Sequence, residues 1–129
     1  MLKILVIDDS ATARMMIGKC LEMTVEGELQ IIEASNGEQA LSLMKSEPPN
    51  LILSDLNMPK MDGNAILKSV KCSPRLNDLP VIIITSAGNP KREEELTANG
   101  AELVLKKPVT PPLLSNAIDQ LKERGVITL

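Results

Sequence analysis

The chain has 129 residues, enough for one domain, with 43% hydrophobic and 24% charged residues, an ordinary globular composition. Its net charge is -3, from 14 basic and 17 acidic residues, and no basic run suggests a nucleic-acid surface. The absence of His excludes a Ser-His-Asp triad, histidine-ligated zinc and a phosphohistidine of the chain's own. The absence of Phe, Tyr and Trp leaves the core to Ile, Leu, Val, Met and Ala.

No apolar run approaches the roughly 20 residues that span a bilayer. The chain begins with a strand and then acids, which is not a signal peptide. Cys20 and Cys72 are too few for a zinc site or a disulfide framework, so a reducing cytoplasm is the expected compartment.

The first strand is Lys3 to Ile7, rich in β-branched residues and bounded by Asp8-Asp9-Ser10. Ser10 or Thr12 can cap the helix that follows. In it Ala13, Met16, Ile17, Cys20, Leu21 and Thr24 fall on one helical face, and Glu26-Gly27 breaks it. Leu29 to Ala34 is the second strand, and Glu38 to Lys45 the second helix, with Ala40, Leu41 and Met44 inward. The third strand, Leu51 to Ser54, ends abruptly at Asp55, and Asp62-Gly63 reads as the start of a third helix running to about Val70. Val81 to Ile84 is the most apolar run and the fourth strand, closed by Thr85-Ser86-Ala87-Gly88. Lys91 to Ala98 is a short polar helix with Leu96 almost its only large apolar residue. Ala101 to Lys106 is the fifth strand, and the fifth helix runs from near Pro111 to about Arg124, with Leu114, Ala117, Ile118 and Leu121 inward. Five alternating strand–helix units imply a doubly wound α/β fold, a parallel sheet with helices on both faces.

In such a sheet the carboxyl ends of the strands share one edge, where ligands bind. Asp8 and Asp9 follow the first strand, Asp55 ends the third, Thr85 the fourth and Lys107 the fifth. Clustered carboxylates repel and need a cation, and hard oxygen ligands with open water positions suit Mg²⁺. A nucleophilic carboxylate beside Mg²⁺, an ammonium group and a hydroxyl is equipped for phosphoryl transfer. Taken singly, each residue is an ordinary cap, loop acid or surface lysine. Together at one edge they form a candidate site.

These motifs, with the run from Asp55 through Met58-Pro59 to Met61-Asp62-Gly63, the Thr85-Ser86-Ala87 stretch and Lys107-Pro108, make the chain resemble a response-regulator receiver domain over its whole length, similar to the single-domain chemotaxis regulators. The resemblance implies a flavodoxin-like (βα)5 fold with strand order 2-1-3-4-5, spanning 1–129 with no attached output domain. It implies that Asp55 accepts a phosphoryl group from a histidine kinase or phosphotransfer protein. Asp9, the Asp55 carboxylate and the Asn57 backbone carbonyl would bind Mg²⁺, with Asp8 acting through water. Lys107 would pair with the phosphoryl group and Thr85 would hydrogen-bond to it. The Lys107-Pro108 bond is expected to be cis. The chain would not be an enzyme beyond transfer to, and hydrolysis from, its own Asp55, and it would signal through the face formed by the fourth helix, fifth strand and fifth helix.

Two positions depart from the family. Val104 stands where an aromatic residue commonly couples to the threonine, and Val109 stands where Phe often follows the Lys-Pro pair. The resemblance therefore covers the phosphoacceptor site and not the switch, which keeps open a phosphorylation-independent interaction module. A haloacid-dehalogenase-type phosphatase needs a second Asp two residues after the nucleophile, where this chain has Asn57. Asp8-Asp9 would repel a flavin phosphate, and no GxGxxG fingerprint is present.

Overall fold

The structure is a computed structural model and describes residues 1–86 and 89–127. Five strands and five helices alternate: β1 (Leu2–Ile7), α1 (Ala11–Thr24), β2 (Leu29–Ala34), α2 (Gly37–Ser46), β3 (Leu51–Asp55), α3 (Gly63–Cys72), β4 (Val81–Thr85), α4 (Pro90–Ala98), β5 (Leu103–Lys106) and α5 (Pro111–Glu123). All strand pairs are parallel, in the order β2-β1-β3-β4-β5.

Alternation along each strand builds two cores, one per face of the sheet. Leu2, Ile4 and Val6 of β1, Leu51 and Leu53 of β3 and Ile82 and Ile84 of β4 pack against Ile17 and Leu21 of α1 and Leu114, Ile118 and Leu121 of α5. The intervening residues Leu5, Ile7, Ile52, Val81 and Ile83 pack against Ala40 and Met44 of α2, Ile66, Leu67 and Val70 of α3 and Leu96 of α4. Strands buried on both faces are apolar in continuous runs, Leu51 to Leu53 in β3 and Val81 to Ile84 in β4, before their polar carboxyl ends. Cys20 packs against the first core, whereas Cys72 is exposed at the end of α3, on the other side of the sheet.

Side-chain caps set the helix starts. Ser10, Asn36, Asp62, Asn89 and Thr110 each accept a backbone N–H from the first turn of the helix that follows. Of the two cap candidates for α1, Ser10 is the cap. Two expectations are corrected. Met16, expected to face inward, is 59% exposed, because the face of α1 that reaches the sheet centres on Ile17, Gly18 and Leu21. β5 begins at Leu103 rather than Ala101, because the Ala101 N–H is taken by the Leu96 carbonyl as α4 closes.

Candidate active site at the carboxyl edge of the sheet

Register brings the acids level. Ile7 lies opposite Ser54, so the residues that follow, Asp8 and Asp55, leave neighbouring strands side by side. Asp55 in turn pairs with Ile84, and Thr85 with Lys106, which places Thr85 and Lys107 on the same edge. The carboxylates of Asp8, Asp9 and Asp55 each present an oxygen within 4.8 Å of the others. Lys107 reaches in from the end of β5, its Nζ 3.1 Å from Asp55 Oδ1 and 3.8 Å from Asp8 Oδ2. The Lys107-Pro108 bond is cis, and the Lys107 N–H donates to the Thr85 carbonyl at 2.9 Å, tying the two strand ends together.

The environments of the two leading acids differ. Asp9 is exposed, whereas Asp8 and Asp55 are buried, at 2% and 6% exposure. The Asp8 main-chain N–H donates to Ala34 O, and its Oδ1 accepts the Ser10 N–H at 2.9 Å. Its Oδ2 is buried and makes no hydrogen bond among the described residues. Thr85 is buried at the end of β4, and Asn57 is exposed two residues past Asp55. Ala87, from the stretch after Thr85, and Gly88 lie outside the described residues.

The loop that carries Asn57 is folded tightly back. The Gly63 N–H donates to Leu56 O at 2.9 Å, and a Cβ on Gly63 would lie 2.5 Å from the Asp55 carbonyl oxygen. Only glycine lets α3 start against the backbone of Asp55. The preceding Lys60 has a φ of 67°, a left-handed conformation that helps turn the chain toward Asp62.

Two like charges within 4.8 Å of each other repel by about 3 kcal/mol or more at an effective dielectric of ~20. Lys107 offsets part of this, but at 3.8 Å from Asp8 Oδ2 it does not hydrogen-bond to that buried oxygen. Three hard oxygen donors, one of them solvent-facing, fit a small divalent cation that keeps its own waters.

Burial pushes the Asp8 carboxyl above the ordinary aspartate range; the Ser10 N–H opposes this, the Asp55 charge adds to it, Lys107 counters and Asp9 adds again. A carboxyl raised on folding contributes most to stability below its unfolded value and loses that contribution as pH rises through the folded value. In chelator, Asp8→Asn is therefore expected to raise the melting temperature at pH 7. The gain should shrink toward zero near pH ~4. Thermal melts at the two pH values check it, and an equal difference at both would contradict it.

Arg14 carries no motif signature, yet it completes this edge. Its Nη1 donates to the Asp8 carbonyl at 2.6 Å and its Nε to Glu33 Oε1 at 3.0 Å. One signal was available: a cation near a helix N-terminus opposes the helix dipole and needs another reason to be there.

Comparison with known proteins agrees with this geometry. The family model for the response regulator receiver domain matches residues 4–119. A Rhizobium etli protein described as "Probable chemotaxis protein CheY" is 36% identical over 118 residues, covering 92% of this chain and 90% of the relative. The signal receiver domain of a DNA-binding response regulator from Colwellia psychrerythraea superimposes with a TM-score of 0.86 at 31% identity, covering 95% of this chain and 99% of that one. Chemotaxis protein CheY4 of Vibrio cholerae gives 0.83 at 29% identity, covering 93% and 98%. Receiver domains are signalling domains that generally bind Mg²⁺ at an acidic pocket, and the Asp8, Asp9 and Asp55 cluster is compatible with that. Among the described residues no helix is long and apolar enough to cross a membrane. The chain belongs to the response-regulator receiver-domain family of two-component signalling.

Proposed function

We propose that the chain is a cytoplasmic phosphoacceptor of a two-component phosphorelay, with Asp55 as the residue phosphorylated. The observation that carries this reading is the buried Asp55 carboxylate, flanked by two further acids and held 3.1 Å from the Lys107 ammonium at the ligand-binding edge of the sheet. The donor is a phosphohistidine of a kinase or phosphotransfer protein, the partner class that receiver-domain membership supports; the chain itself has no His to carry that phosphoryl group. An Asp55 oxygen attacks phosphorus; the P–N bond breaks as the P–O bond forms, and the imidazole leaves with its proton. Lys107 shifts from the carboxylate to a phosphoryl oxygen, and the Thr85 hydroxyl donates to another. Water later attacks phosphorus and returns Asp55 and free phosphate. Asp9, Asp55 and the Asn57 carbonyl would hold Mg²⁺, with Asp8 acting through water; when bound, the ion neutralises charge that develops on the transferring group.

Beside Lys107 lies an apolar groove of about 430 Å³, lined by Ala13, Met16, Ile17, Pro108 and Val109, open for a docked donor. Because Mg²⁺ would bind the folded state, it stabilises by mass action. Millimolar Mg²⁺ is expected to raise the melting temperature by several degrees over chelator, about 1–3 kcal/mol at saturating excess. No shift at any Mg²⁺ concentration would remove the metal assignment.

The signal would leave through α4, β5 and α5. Leu96 is the one buried residue of α4, so little apolar contact holds that helix. Val104, half-buried against the core, replaces the swinging aromatic ring, so backbone movement from Thr85 into α4 would carry the response. Beryllofluoride with Mg²⁺ should shift α4 amide resonances in wild type and Val104→Ala alike. Loss of the α4 response in the variant would make Val104 the coupling residue. No α4 response in wild type would favour the second reading, a phosphorylation-independent interaction module, for which Val104 is the supporting observation.

A further inference from the structure

The main chain of Asp8 is held on two sides. Its N–H is bonded to Ala34 of β2, and its carbonyl accepts the Arg14 guanidinium at 2.6 Å. Arg14 is itself pinned: its side chain is 15% exposed, its N–H donates to the Ser10 carbonyl, and Nε donates to Glu33 on β2. The guanidinium fork thus spans β2, the end of β1 and the first turns of α1. The Asp8 carbonyl belongs to the peptide unit joining Asp8 to Asp9. That unit is planar, so fixing its oxygen fixes the direction in which the chain enters Asp9. The Asp9 carboxylate is exposed and makes no hydrogen bond or ion pair among the described residues, yet it lies within 4.8 Å of the Asp55 and Asp8 oxygens. The backbone aims it, and Arg14 is the side chain that holds that backbone.

We propose that Arg14 is a positioning residue for the Asp8-Asp9 carboxylate pair, setting the affinity of the edge for a divalent cation without touching the cation itself. The inference rests on the reading of Asp8, Asp9 and Asp55 as a Mg²⁺ site. It is separable from a purely electrostatic role because the two predict opposite signs. Arg14→Ala deletes a positive charge beside the Asp8 main chain and leaves Glu33 unpaired, which by Coulomb's law alone tightens cation binding. Loss of positioning loosens it, on the 10–100-fold scale typical of residues that orient metal ligands.

The experiment is a Mg²⁺ titration of the metal-free protein followed by ¹H–¹⁵N amide shifts, which report folding and affinity together. Wild type should saturate. Arg14→Ala should show a dissociation constant about tenfold higher with a wild-type-like spectrum away from the edge. Arg14→Lys keeps the charge but cannot bridge Asp8 and Glu33 with one fork, and should be weakened by a smaller factor, about threefold. Unchanged or tighter binding in Arg14→Ala would overturn the proposal, because a merely structural arginine would lower stability and leave affinity alone. If Arg14→Ala does not fold, Arg14→Lys decides: weaker binding supports the proposal, and wild-type affinity overturns it. A wild type that shows no saturable Mg²⁺ shift would instead overturn the metal-site reading, and the inference with it.

Discussion

Asp55→Asn is expected to abolish phosphorylation by a small phosphodonor and to leave the domain folded. The amide oxygen is a poor nucleophile and cannot form the acyl phosphate, so uptake falls to background rather than by a modest factor. The fold should persist because the substitution removes one of three mutually repelling carboxylates at the edge and keeps the side chain's shape. The strands beneath Asp55 are anchored by Leu51, Ile52 and Leu53, all fully buried, and by pairing with both neighbours. Intact-mass measurement of the variant beside wild type, with a cooperative thermal melt as the folding control, checks both halves. A normal yield of phosphorylated variant would remove Asp55 as the acceptor.

Lys107→Met should move two quantities in opposite directions. Without metal, Asp55 and Asp8 lose the ammonium that sits 3.1 and 3.8 Å from their oxygens, leaving buried acids uncompensated. Breaking a fully buried pair costs several kcal/mol; Lys107 is 35% exposed, so solvent screening reduces the expected loss to about 1–3 kcal/mol. With Mg²⁺ the sign reverses. The lysine would compete with a bound Mg²⁺ for the same oxygens, so its removal should tighten Mg²⁺ binding by about tenfold, equivalent to ~1.4 kcal/mol. Melts in chelator and a Mg²⁺ titration test the pair. Unchanged values of both would mean that Lys107 does not share the site electrostatically.

Much of this edge is legible in the sequence, for a topological reason. A parallel sheet sends every strand's carboxyl end to one side, so reading where Asp8, Asp55, Thr85 and Lys107 terminate their strands also reads that they meet. Strand order is another matter: periodicity distinguishes buried from exposed positions but says nothing about which strand neighbours which, and 2-1-3-4-5 came from the family resemblance. The burial of Asp8 and exposure of Asp9 were not legible either. They depend on the pairing with β2 running one residue past the end of β1, where the Asp8 N–H donates to Ala34 O. Met16 has the right spacing for an inward residue and still faces solvent, because periodicity places a residue on a stripe without fixing how wide a stripe the sheet covers. Arg14 escaped for the same kind of reason: its role is a contact with a backbone oxygen six residues back and a carboxylate on another strand, and neither leaves a local pattern.

The most direct measurement of the central claim maps the phosphoryl group itself. Wild-type protein incubated with a small phosphodonor and Mg²⁺ is analysed by intact mass, and the acyl phosphate is then reduced with borohydride, which converts a phosphorylated aspartate to homoserine. The expected result is a gain of one phosphoryl group that requires Mg²⁺, with homoserine appearing at position 55 alone. No mass gain, or homoserine at another aspartate with position 55 unmodified, would contradict it.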